Sequence, residues 1–126
     1  MGAILIVEDM AVIRELLGEV LGRVYECHMV RTAEEGLEVL SRVDVDAVIT
    51  DLKLPGMSGI DFLREVRAAH PDVPVIAVTG GVAGVYERDL LESGAFGYLL
   101  KPYEVEEVES LVAGAVESRR ARRGGS

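Results

Sequence analysis

The chain has no tryptophan, one cysteine, two histidines and four prolines among its 126 residues. A lone cysteine, Cys27, cannot form an internal disulfide, and it excludes a thiolate-rich metal centre. Its side chain reads as a small buried hydrophobe, with a reactive thiol as the alternative. No run reaches the roughly 18 to 20 uninterrupted apolar residues that a membrane span needs. The opening Met1-Gly2-Ala3-Ile4 also lacks the basic start and cleavage region of a secretion signal. The expectation is a cytoplasmic protein with no membrane partner. Positive charge is scarce too: 13 Lys and Arg stand against 22 Asp and Glu, a formal net charge of -9. Most of such a surface would repel a polyanion, so no direct nucleic-acid binding is expected. Neither a Walker loop nor a Gly-x-Gly-x-x-Gly fingerprint is present, which removes two common phosphate cradles.

What is abundant is apolar: 49% of the residues are hydrophobic, enough for one domain around one core. Short β-like runs alternate with longer segments of helical period. Ala3-Ile4-Leu5-Ile6-Val7 is a continuous apolar run, as expected of a strand covered on both faces. Val12, Ile13, Leu16, Leu17, Val20 and Leu21 then mark one face of a helix. A weaker strand covers Tyr25 to Val30, and Thr32-Ala33-Glu34-Glu35 has the spacing of a capping box that opens a second helix. A third strand runs to Asp51, a fourth through Val75–Val78 to Thr79, and a fifth through Gly97–Leu100 to Lys101-Pro102. Helices follow each, the last striped by Val105, Val108, Leu111, Val112, Ala115 and Val116. Regular βα alternation implies parallel strands, right-handed crossovers and helices on both faces, a doubly wound α/β sandwich. One domain is expected over residues 1–118. Residues 119–126, which begin Arg119-Arg120-Ala121-Arg122-Arg123, read as a flexible basic tail after a helix end, or as a truncated linker.

Ligands of such folds bind beyond the carboxyl ends of the strands, where strand order reverses. Four of the five strands finish there on ionic or hydroxyl chemistry: Glu8 and Asp9, Asp51, Thr79 and Lys101. Each pair of carboxylates about 4 Å apart costs on the order of 4 kcal/mol at an effective dielectric near 20. Lys101 can balance one charge, and a hard cation with oxygen ligands, such as magnesium, can balance the others. A lone Glu8-Asp9 pair would read as a helix cap, but Asp51 and Lys101 in register favour the metal. His28, in the weak second strand, and His70, before Pro71 at a helix end, read as structural or solvated.

The stretches Ile6-Val7-Glu8-Asp9, Ile49 to Gly59 around Asp51, Val78-Thr79-Gly80, and Gly94 to Pro102 resemble the receiver domain of two-component response regulators. The resemblance covers about Ala3 to Val116. It implies a flavodoxin-like (βα)5 fold with strand order 2-1-3-4-5. It also implies Mg2+ held by Glu8, Asp9, Asp51 and the backbone carbonyl of Lys53. Asp51 would be the phosphoacceptor, Thr79 the hydroxyl that bonds a phosphoryl oxygen, and Lys101 its counter-charge, followed by a cis peptide to Pro102. Thr79 and Tyr98 would be the switch pair, altering a surface made by the fourth helix (Val85 to Leu91), fifth strand and fifth helix. The implied partners are a histidine kinase or phosphotransfer protein upstream and an output protein or domain downstream, with a monomer or a phosphorylation-dependent dimer as the assembly. The implied protein is a signalling receiver and not an enzyme.

Other classes fit less well. A receiver-like scaffold that binds a partner without phosphorylation has no need of all five site residues. A phosphatase of the haloacid dehalogenase type wants a second Asp where this chain has Lys53, and a flavin phosphate would be repelled by Glu8 and Asp9. Lys53 either screens the phosphoryl group from water or points outward. Gly80, Gly81 and Gly84 leave the segment after Thr79 with weak local preference, so a loosely ordered segment is expected there.

Overall fold

The computed structural model of the protein describes residues 2–80 and 86–124. Five strands, β1 (Ala3–Val7), β2 (Glu26–Val30), β3 (Ala47–Asp51), β4 (Val75–Thr79) and β5 (Gly97–Leu100), form one sheet in the order β2-β1-β3-β4-β5. Every neighbouring pair is parallel. The helices are α1 (Ala11–Leu21), α2 (Ala33–Arg42), α3 (Gly59–Ala69), α4 (Tyr86–Glu92) and α5 (Val105–Gly124). Strand order therefore reverses between β1 and β3, as the flavodoxin-like expectation requires. The glycine-rich stretch 81–84 and Val85 lie outside the described residues.

β1, β3 and β4 are buried along their whole length, which is why their sequences are apolar apart from Thr50, Asp51 and Thr79 at the carboxyl ends. Successive side chains alternate between faces. Leu5, Val7, Val48 and Ala77 pack with Phe62, Leu63 and Val66 of α3 and Val39 and Leu40 of α2. Ile4, Ile6, Ile49 and Ile76 pack with Leu17 and Leu21 of α1 and Val108, Val112 and Ala115 of α5. β2, at the sheet edge, is half exposed and correspondingly more polar. The face expected for α1 is wider than the one the fold covers. Leu17 and Leu21 are buried, whereas Val12 is 77% and Leu16 50% exposed.

Local chemistry sets the helix starts. The Thr32 hydroxyl accepts the Glu35 N–H at 3.1 Å while Glu35 Oε1 accepts the Thr32 N–H at 3.1 Å, the expected capping box. Ser58 caps α3 by accepting the Asp61 N–H at 3.2 Å. Gly59 must be glycine because a Cβ there would collide with the backbone carbonyl of Asp51. α3 thus begins directly against the residue that ends β3.

Residues 119–124, where a flexible basic tail or a truncated linker was expected, lie in the last turns of α5. α5 continues to Gly124, and Arg119 is only 2% exposed. Its guanidinium donates to Asp44 Oδ1 at 2.7 Å, Asp46 Oδ1 at 2.9 Å and Asp72 Oδ2 at 3.2 Å. Asp46 Oδ2 in turn accepts the Ala3 N–H at 2.9 Å, so one cation ties α5 to the entries of β1, β3 and β4. Arg123 adds a 3.1 Å bond to Asp44, and the two arginines hold the Asp44 carboxyl below its ordinary value. The partners lie 47 to 75 residues away in sequence, so a local reading sees only a helix end. Removing Arg119 leaves the mostly buried Asp46 without its cation while the exposed Asp44 and Asp72 turn to water, so Arg119→Ala should lower unfolding free energy by about 2 kcal/mol. Urea denaturation of the two proteins, with equal slopes and a lower midpoint for the variant, checks this.

Candidate functional site

The carboxyl ends of β1, β3, β4 and β5 meet at one rim of the sheet. β1 delivers Glu8, 2% exposed, and the exposed Asp9; β3 delivers Asp51, 6% exposed. Glu8, Asp9 and Asp51 each offer a carboxylate oxygen, and these oxygens all lie within 4.8 Å of one another. Lys101, just past β5, reaches across the end of β4 and places Nζ 2.6 Å from Asp51 Oδ2 and 3.9 Å from Glu8 Oε1. Thr79, 6% exposed, ends the strand in between, and its backbone carbonyl accepts the Lys101 N–H at 2.9 Å.

Both oxygens of Asp51 are oriented. Oδ2 takes the ammonium, and Oδ1 takes the backbone N–H of Lys53 at 3.0 Å. Lys53 itself is exposed. Glu8 is held differently: its Oε2 accepts the Met10 N–H at 3.0 Å at the start of α1, which has no side-chain cap from Met10. The capping role considered for the acidic pair is therefore real for Glu8, and it coexists with the cluster. The Glu8 carboxyl is raised to about 7: burial pushes it up most, the Met10 bond and Lys101 pull against it, and Asp51 adds to the rise. Burial opposes the charge on Lys101, but the hydrogen bond to Asp51 and the charges of Asp51 and Glu8 outweigh it, and its pKa is raised.

Tyr98, on β5, is half-buried and packs against the side of the core that includes α3 and α4. Lys101-Pro102 is a cis peptide. His28 lies 3.2 Å from Glu26 on the edge strand and His70 caps α3, both away from this rim. Cys27 is half-buried, and burial raises its thiol pKa.

Two residues here escaped the sequence reading. Tyr103 lines a groove of about 470 Å³ with Ile13, Leu16, Gly80, Lys101 and Pro102, and burial together with Glu8 raises its pKa. Arg14 bonds the carbonyls of Glu8 and Asp9. A cation near the N-terminus of a helix opposes the helix dipole, and that was the available signal. A further signal is compositional: the only two lysines of the chain are Lys53 and Lys101, and the other eleven of its 13 basic residues are arginine.

A doubly wound α/β domain with buried acids at its switch point and a lysine on the middle one is an acidic-site switch domain in form. The family model of the response regulator receiver domain matches residues 4–113, and the chain belongs to that family. It is 36% identical over 116 residues to the response regulator protein PilR of Pseudomonas aeruginosa, covering 91% of this chain and 26% of PilR. With the DNA-binding transcriptional regulator NtrC of Escherichia coli it shares 32% identity over 116 residues, 91% of this chain and 25% of NtrC. The chain thus spans about a quarter of the length of these relatives. Among solved structures it resembles a CheY-like receiver domain protein from Methanospirillum hungatei, with a TM-score of 0.90 and 26% identity, covering 97% of this chain and 98% of that one. A receiver domain protein from Clostridium thermocellum gives a TM-score of 0.89 at 28% identity, covering 95% and 98%. Receiver domains of two-component response regulators are signalling modules, and phosphoaspartate is typical of the family. Among the described residues no helix is long and apolar enough to cross a membrane.

Glu8 holds its proton more tightly in the folded chain than in the unfolded one, where a glutamate titrates near 4.5. That favourable difference is complete below pH 4.5 and is lost as pH rises through about 7. In metal-free buffer the wild type should therefore lose on the order of 3 kcal/mol of stability between acidic and mildly basic pH, while Glu8→Gln loses far less. Denaturant midpoints at both pH values, with a chelator present, measure the difference.

Proposed function

We propose that this receiver domain accepts a phosphoryl group on Asp51 from the phosphohistidine of a histidine kinase or phosphotransfer protein. The observation that carries the reading is the 2.6 Å contact of Lys101 Nζ with Asp51 Oδ2, beside Glu8 and Asp9. An oxygen of Asp51 forms the new bond to phosphorus as the bond from phosphorus to the donor imidazole nitrogen breaks, and the imidazole leaves with the bonding electron pair. The Lys53 N–H holds one carboxylate oxygen in place. Lys101 balances charge on the transferred group.

The donor set suits a magnesium ion: oxygen ligands only, from three carboxylates, two of them buried. Glu8, Asp9, Asp51 and the backbone carbonyl of Lys53 would hold it. When bound it supplies charge neutralisation for the carboxylates and for the phosphoryl oxygens. Glu8 must give up its proton to serve, so magnesium affinity rises with pH through about 7. The domain in this way assists its own phosphorylation and dephosphorylation and turns over no other substrate.

The partner's approach is supported by apolar surface at the mouth. Leu16, half exposed, lines the groove with Tyr103 and Pro102, and Met10 and Val12 at the start of α1 are exposed too. On the output side, the phosphoryl group offers the Thr79 hydroxyl a strong acceptor and draws the end of β4 toward it. Tyr98 follows, changing the surface of α4, β5 and α5 that an output protein or domain reads, in the cytoplasm and with or without dimerisation. A scaffold acting without phosphorylation is the less favoured reading, because the whole reactive set is assembled.

Incubation with acetyl phosphate and Mg2+ should add the mass of one phosphoryl group to the wild type. Asp51→Asn should gain none, and Lys101→Ala or chelation of Mg2+ should lower the yield at least about tenfold. Intact-mass spectrometry reads all four, and sizing of both forms tests dimerisation.

A further inference from the structure

Arg14 lies in the second turn of α1, where a positive charge is unfavourable for the helix dipole, and it makes no side-chain ion pair among the described residues. Its Nη1 instead donates to two consecutive backbone carbonyls, that of Glu8 at 2.9 Å and that of Asp9 at 3.4 Å. Those residues carry two of the three clustered carboxylates. The turn that presents them has two other ties: the Glu8 N–H to the Val30 carbonyl at 3.0 Å, and the Met10 N–H to Glu8 Oε2 at 3.0 Å. The Met10 tie consumes a carboxylate oxygen, so a cation on Glu8 competes with it. The Arg14 tie consumes only main-chain oxygens and leaves all four carboxylate oxygens of Glu8 and Asp9 available.

We propose that Arg14 is the positioning residue of the cation site: by gripping the Glu8 and Asp9 carbonyls it fixes the backbone so that both carboxylates face Asp51. This rests on the magnesium-binding reading above and extends it to the shell behind the ligands. Pre-set ligands lose less freedom on binding, so the grip shows up as affinity. The effect of its charge has the opposite sign, since a guanidinium near a dication repels it. Removal of Arg14 therefore separates the two roles: lost positioning weakens binding, whereas lost repulsion strengthens it.

The test is calorimetric titration of MgCl2 into the unphosphorylated wild type, Arg14→Ala, Arg14→Gln and Arg14→Lys, with urea denaturation of each metal-free protein. Arg14→Ala should weaken magnesium binding on the order of tenfold, the usual effect of removing a group that orients metal ligands. Arg14→Lys, which keeps a donor able to reach one carbonyl, should recover most of that loss. An unchanged or tighter Kd in Arg14→Ala overturns the proposal, as does a stability loss with unchanged Kd, which would make Arg14 a support for α1 alone. Should the alanine variant fail to fold, the glutamine variant decides by the same Kd criterion. A wild type that binds no magnesium removes the cation reading itself, and this inference with it.

Discussion

A carboxylate and an ammonium, Asp51 and Lys101, meet at 2.6 Å across the end of β4, and the other charges of the site are arranged around that contact. The sheet order makes it possible. β3 and β5 flank β4, so a long lysine side chain is needed to span the intervening strand. β1 lies on the other side of β3 and brings Glu8 and Asp9 to the same rim. One ammonium cannot neutralise three carboxylates. A proton that Glu8 keeps up to about pH 7 removes one of the two charges left over, and the uncompensated acid that remains is compatible with a divalent cation.

The rest of the molecule keeps that rim in place. β1, β3 and β4 are sealed on both faces, so their ends have little freedom to shift relative to each other. Gly59 lets α3 start against the backbone of Asp51. At the opposite rim Arg119 gathers Asp44, Asp46 and Asp72 and fastens α5 to the entries of the central strands. A chain rich in acid thus holds each end of its sheet with a basic side chain: a lysine where one close contact is made, an arginine where several fixed bonds are required. The planar fork of arginine satisfies three carboxylates at once, and the compact lysine ammonium serves as a point charge on Asp51.

Much of this was legible beforehand. The apolar runs within Ala3–Val7, Asp46–Thr50 and Val75–Val78 marked the buried strands within a residue at their ends. The Thr32 capping box stands as read. The strand-end residues Glu8, Asp9, Asp51, Thr79 and Lys101 do come to one rim, because parallel alternation puts every carboxyl end on the same side. Other features were hidden. Val12 and Leu16 have the period of a buried face yet face solvent, since a narrow apolar stripe is all that the sheet and α5 cover. Arg119 read as part of a tail, and Arg14 and Tyr103 drew no notice.

What the sequence by itself determined is the set of elements and the chemistry at their ends, because periodicity, caps and strand-terminal residues are properties of neighbouring positions. The tertiary structure decided which distant groups touch: Lys101 with Asp51, Arg119 with three aspartates, Arg14 with the carbonyls behind the acidic pair. It also decided that Glu8, and not Asp9, is the buried acid. Burial and charge contact depend on the packing of segments tens of residues apart, and no pattern local to the chain encodes those distances.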